Sequence, residues 1–183
     1  ADETLVLGSV ASRGLGAGGK PEVGRVCAEE AAAEIADAVA GVDMVFITAG
    51  MGGGTGSGAA PVVAEIAKQF DCLTVGVVTK PFGFEGRKRM NQATEAIANL
   101  QGKVDTLIVV SNDKLIDIVP EDTAITDAFL VADYMQQCYT PAWKSFGDCA
   151  RTSVGVVLVR LLGAWTLLLP SCQRHTSLAQ HTK

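Results

Sequence analysis

Apolar positions change their period several times along the chain, and each change predicts an element. Over residues 21–41, Ala28, Ala31, Ala32, Ile35, Ala38 and Val39 recur at helical spacing. Pro21 suits a first helical turn and Gly41 stops the run, so one helix is expected there. Residues 42–49 (VDMVFITA) form a nearly continuous apolar run with β-branched members, as a buried strand requires, and they lead into a glycine-rich stretch over residues 50–58. The helical period returns over 59–70 at Val62, Val63, Ile66 and Ala67, and a second buried-strand run follows over 73–79 (LTVGVVT). Residues 80–86 read as a Pro/Gly loop, 87–100 as a helix and 104–111 (VDTLIVVS) as a third strand. Helical stretches are expected over 112–119 and 125–135. This alternation predicts an α/β fold, a Rossmann-like parallel sheet covered on both faces through right-handed crossovers. Ligands of such sheets sit at the carboxyl ends of the strands, where the loops 50–58, 80–86 and 111–113 emerge.

Composition divides this picture in two. The 183 residues are 48% hydrophobic and 19% charged, enough to bury the core of one domain. The net charge of −5, without a basic stripe, argues against a nucleic-acid partner. Both Trp, both Tyr and both His lie beyond Asp133, while 19 of the 20 acidic residues lie at or before it. Residues 1–133 carry 10 basic against 19 acidic side chains; residues 134–183 carry 5 against 1. The expected organisation is therefore a core over 1–133 and an unrelated, poorly folded tail over 134–183. The five cysteines are odd in number and widely spaced, so free thiols are expected and neither a disulfide framework nor a metal site. The longest apolar run, 154–170, is interrupted by Arg160 and Gly163 and is short for a membrane span, so direct membrane insertion is not expected.

The glycine stretch carries the chemistry. Six of its nine residues are glycine: Gly50, Gly52, Gly53, Gly54, Gly56 and Gly58. Placed between a strand and a helix, glycines let successive N–H groups converge on an anion, and the helix adds its positive end. Thr55 and Ser57 can add hydroxyl donors, which suits a polyphosphate. No lysine occurs between Lys20 and Lys68, so this is not the lysine-bearing P-loop. The pattern Gly14, Gly16, Gly19 has dinucleotide-type spacing, but no strand precedes it; it reads instead as a second glycine loop able to cover phosphates from another side. Glu85 and Arg89, four apart, would share a helix face where both can meet a ribose and its phosphates. Phe129 and Asp133 have the same relation, an aromatic face beside a carboxylate able to accept from guanine N1–H and its 2-amino group.

Together these segments resemble one family, the cell-division GTPase FtsZ, a relative of tubulin. The resemblance rests on GGGTGSG over 52–58 within AGMGGGTGSGAAPVVAEIAK, then RGLGAGGKPE (13–22), TKPFGFEGRKRM (79–90), VDTLIVVSND (104–113) and DAFLVAD (127–133). It covers about residues 13–133. It implies GTP as ligand, with Mg2+ carried by the nucleotide. Gly54, Thr55 and Gly56 would hold phosphates within the signature loop of Gly52, Gly53 and Ser57, and Gly18 and Gly19 would close near the γ-phosphate. Glu85 and Arg89 would contact ribose and phosphates, Phe129 and Asp133 guanine, with Asn112 nearby. Lys20 stands where the family usually has Asn. The family assembles head to tail and hydrolyses GTP across the subunit contact, so other FtsZ subunits and division-ring proteins are the implied partners. Segments 72–78 and 109–115 resemble the plastid branch, which implies the chloroplast stroma, with the bacterial cytoplasm as alternative. Family members begin with a strand and phosphate loop not recognised here, and their later acidic loop is not recognised either. The expectation is thus a division GTPase core without all its catalytic parts; the alternative is a non-enzymatic fragment that docks on or caps full-length filaments.

Overall fold

Every connection between consecutive strands in the first two-thirds of the chain is a helix, and the strands are accordingly parallel. The computed structural model describes residues 5–8, 12, 16–117, 127–132 and 156–161, the last as backbone only. Helices α1 (Pro21–Glu30) and α2 (Ala32–Val39) lead to β1 (Met44–Gly50), α3 (Gly54–Gln69) and β2 (Leu73–Lys80). A 3-10 turn (Gly83–Glu85), α4 (Arg87–Gln101), β3 (Thr106–Ser111) and the short α5 (Asn112–Ile116) follow, residues 127–132 are helical, and β4 (Val156–Leu161) is last. The sheet order is β3-β2-β1-β4. Met44 to Gly50 pair with Leu73 to Thr79, and Val75 to Lys80 with Thr106 to Ser111.

Alternation along β1 sorts its side chains. Val45, Ile47 and Ala49 enter the main core with α1, α2, α3, α4 and Val78, whereas Phe46 joins Val75 and Val77 in a second cluster. The closest helix contact is α1 on α3. A methyl at Gly24 would collide with the Gly54 carbonyl, and one at Gly58 with the Pro21 carbonyl. These two glycines let the backbones touch and bring α1 over the start of α3.

Several expected boundaries move. The single helix expected over 21–41 is two, separated at Ala31 (φ −92, ψ 14). The helix expected from residue 59 begins at Gly54, so half of the glycine stretch is helical. The three expected parallel strands are present in the expected sequence along the chain, with β1 and β3 each starting two residues later than predicted. The tail contributes β4, which lies in the apolar run 154–170 and pairs in parallel with β1 from Met44↔Val156 to Ala49↔Leu161. No helix among the described residues is long and apolar enough to cross a membrane.

Candidate functional site

The turn from β1 into α3 is built to leave amides free. Met51 N–H donates to the Thr79 carbonyl at 2.9 Å, which ties the loop to β2. Gly52 takes φ +94, a left-handed conformation that glycine adopts without strain, and its N–H donates to Ser57 Oγ at 2.9 Å. Gly53 is the N-cap of α3, and no side chain caps the helix. The first-turn N–H groups of a 16-residue helix thus end at a glycine around which a Cβ would meet nothing within 4 Å. Thr55 is half-buried in that first turn. Ser57 is buried, with its oxygen holding the loop closed. Gly54 and Gly56 serve packing as well: a Cβ at Gly54 would sit 2.7 Å from that of Ala17, and one at Gly56 would strike the Gly50 carbonyl.

The second glycine loop arrives over the same helix end. Gly16, Gly18 and Gly19 have φ of +81, +57 and +75, and Lys20 N–H closes the turn on the Ala17 carbonyl at 3.0 Å. The space around Gly18 and Gly19 is open, while a Cβ at Gly16 would lie 4.0 Å from Thr55 Oγ1. Gln92, on α4, donates to the Gly19 carbonyl at 3.3 Å and anchors the loop from the other side. The structure therefore sets the 16–20 loop against the start of α3, Gly16 beside Thr55 and Ala17 and Lys20 beside Gly54, leaving open space at Gly18, Gly19 and Gly53.

Glu85 lies in the 3-10 turn before α4 and not on the helix itself. Its Oε1 accepts from Phe82 N–H at 2.9 Å, and its Oε2 meets Arg89 at 2.5 Å, so the expected i,i+4 pair engages itself. The Arg89 carbonyl lies against Gly52, since a Cβ there would be 2.7 Å away, which joins this loop to the glycine loop. Gly83 N–H donates to Asp113 Oδ1 at 2.8 Å. Beside Asp113, Asn112 is 6% exposed and its Oδ1 has no hydrogen-bond partner among the described residues. Burying such an acceptor unpaired is costly, so the atom is suited to a ligand's N–H. Phe129 is half-buried, 5.0 Å from Phe82 and 6.3 Å from Phe84 between ring centroids, nearly perpendicular to both. Asp133 lies outside the described residues.

Sheet order sets these groups out in sequence. The glycine loop leaves β1, Glu85 and Arg89 follow β2, and Asn112 follows β3, so anion-binding amides, an ion pair and a buried amide succeed one another along one edge. At about 4.8 Å between strands the three strand ends span roughly 10 Å, a fit for an elongated anionic ligand such as a nucleoside triphosphate. Asp113 and Gln92 are the contributors that spacing did not reveal, because their partners are 30 and 73 residues away. Among the described residues no group of three or more His, Cys, Asp or Glu side chains is placed to hold a metal ion.

The model of the Tubulin/FtsZ family, GTPase domain, matches residues 1–120. The chain belongs to the Tubulin/FtsZ family. The match ends short of the 127–133 segment on which part of the resemblance rested. An empty FtsZ dimer from M. jannaschii is 51% identical, with TM-score 0.72 over 74% of this chain and 39% of that one. CetZ1 from Haloferax volcanii, a GDP-bound monomer, is 28% identical, with TM-score 0.61 over 72% of this chain and 40% of that one. CetZ2 from Haloferax volcanii, a GTPγS-bound protofilament, is 26% identical, with TM-score 0.64 over 75% and 41%. The chain thus spans about two-fifths of the length of these Tubulin/FtsZ-family relatives, and its parallel core is that of the family's GTPase domain.

Proposed function

We propose that this chain binds GTP along the carboxyl edge of β1, β2 and β3, as part of a tubulin-like, filament-forming division protein. The observation that carries the reading is the uncapped start of α3, with open space at Gly53 and a second glycine loop at Gly18 and Gly19 above it. The phosphates lie there on the amides around Gly53, Gly54 and Gly56, with the Thr55 hydroxyl donating to an oxygen. Glu85 and Arg89 take the ribose side, and Asn112, Phe129 and Asp133 the guanine. Mg2+ arrives bound to the nucleotide's own phosphates.

The FtsZ dimer and the CetZ2 protofilament support self-association, and head-to-tail contact between copies is the proposed arrangement, with division-ring proteins as further partners. The proposed location is the chloroplast stroma, on the strength of segments 72–78 and 109–115, with the bacterial cytoplasm as the alternative. GTP hydrolysis across the contact is the proposed activity of the assembled protein. Because the chain spans two-fifths of its relatives, a second reading has it dock on longer partners and cap their filaments.

Titration with a fluorescent GTP analogue, with ATP and GTP as competitors, tests the assignment. GTP is expected to compete at least tenfold better than ATP, and Thr55→Ala to weaken binding by about ten- to a hundredfold, the worth of one hydrogen bond to a charged group. Equal competition by ATP overturns the guanine assignment; no saturable binding overturns the site. Light scattering of a longer FtsZ with and without this chain separates co-assembly, which preserves or raises the signal, from capping, which lowers it.

A further inference from the structure

One side chain joins the loop after β2 to the start of α5, which follows β3. Gly83 N–H donates to Asp113 Oδ1 at 2.8 Å, and a Cβ at Gly83 would stand 3.6 Å from both carboxylate oxygens. The preceding amide, Phe82 N–H, is held by Glu85 Oε1. Two successive amides are therefore each fixed by a carboxylate, with different consequences. Glu85 acts locally: it shapes the 3-10 turn and pairs with Arg89. Asp113 comes from the first turn of α5, after the neighbouring strand, and stands next to Asn112, whose buried Oδ1 lacks a partner among the described residues. The same turn carries Phe82 and Phe84, whose rings stack at 5.0 Å and meet Phe129 edge-on, so moving the turn moves the aromatic cluster.

We propose that Asp113 is a positioning residue of the nucleotide site, whose carboxylate sets the spacing between the sugar-side pair Glu85 and Arg89 and the base-side Asn112. This rests on the GTP reading above. The bond is charge-assisted, which strengthens it, and exposed, which holds its worth to about that of a single net hydrogen bond. The hydrogen bond of Asp113 is to Gly83, whereas the loop at Gly18 and Gly19 is held by Gln92 and Lys20 and the start of α3 by Ser57, so phosphate binding depends on other bonds. Losing Asp113 therefore separates base recognition from phosphate binding.

The test measures a fluorescent GTP analogue, inorganic triphosphate as competitor, and the unfolding midpoint, on the full chain. Asp113→Ala is expected to weaken GTP by about fivefold, while the triphosphate constant stays unchanged and the midpoint falls only slightly, by no more than one exposed hydrogen bond is worth. Gly83→Pro removes the same bond from the donor side. Phe82 already has the extended ψ of 148° that a residue before proline adopts, so the turn is preserved and the same loss is expected. Asp113→Asn keeps the acceptor and should stay within twofold of the unaltered chain. Unchanged GTP affinity in Asp113→Ala and Gly83→Pro overturns the positioning role alone. An equal fall for GTP and triphosphate with a lowered midpoint marks a merely structural residue and overturns it too. If the unaltered chain binds no GTP, the GTP reading falls and this proposal with it. Should Asp113→Ala not fold, Gly83→Pro and Asp113→Asn decide.

Discussion

Gly53 and Gly58 lie in one loop-helix junction and answer to different physics. At Gly58 a methyl meets the backbone of α1, with the Pro21 carbonyl in direct collision and Arg25 N at 2.6 Å. Neither can rotate away, so Gly58→Ala must push two helices apart. A loss of about 1–3 kcal/mol or more is expected, as for other overpacked cores, read as a lower unfolding midpoint. At Gly53 the same methyl meets nothing within 4 Å, and φ of −89° suits any residue. Gly53→Ala should keep its midpoint and lose nucleotide affinity, because the added carbon occupies the space before the α3 amides. The reverse pairing of outcomes would show that the open space at Gly53 is not where the phosphates go. A glycine count alone could not make this distinction. Six glycines suggested one phosphate cradle; the structure gives four of them separate tasks, packing at Gly54, Gly56 and Gly58 and approach at Gly53.

The turn from α3 to β2 shows how an element's end can store a titratable group. Asp71 has φ +60, tolerable for an aspartate, and the chain then drops Cys72 into the core, where its thiol donates to the Val42 carbonyl at 3.2 Å. Burial pushes that thiol's pKa up, and the neighbouring charges of Asp43 and Asp71 push it the same way. A raised folded value means that the native state holds the proton longer than the unfolded chain. The stabilisation is therefore fully present below the unfolded thiol's value of about 8.5 and is lost as pH rises above it. Denaturant midpoints should fall between pH 8 and 10, and Cys72→Ser or Cys72→Ala should flatten that part of the profile. An equally steep fall in both variants would assign the effect elsewhere. At this scale the sequence was most informative where periods were long. β1, β2, α3 and α4 were legible because continuous β-branched runs and helical spacing each persist for seven or more residues. The break at Ala31 was not, since alanines and glutamates favour helix on both sides of it. Nor was the clamp from Asp113 to Gly83, because pairing across thirty residues leaves no local pattern.

For the molecule as a whole, the question is what the last third of the chain does. Its composition differs sharply from that of the first 133 residues, and β4, which lies in it, pairs with β1 over six positions. Without it β1 becomes an edge strand. Val45, Phe46, Ile47 and Ala49 are at most 2% exposed, and Gly50 feeds directly into the glycine loop, so an open edge there exposes unpaired backbone N–H and C=O groups beside apolar side chains and loosens that loop. The ladder supplies a handful of bonds worth about 1 kcal/mol each net, set against a typical total stability of about 5–15 kcal/mol. Removing residues 134–183 should therefore lower the unfolding midpoint, promote aggregation and weaken nucleotide binding together. A gentler variant separates the strand from the rest of the tail. Of two consecutive residues in a parallel strand, one turns its N–H toward a given neighbour and the next turns away, so Val157→Pro and Leu158→Pro should differ, one losing a ladder bond to β1 and one not. Equal stability of both prolines and the truncated chain with the full chain would mean that β4 adds nothing, and that the core stands on its first 133 residues alone.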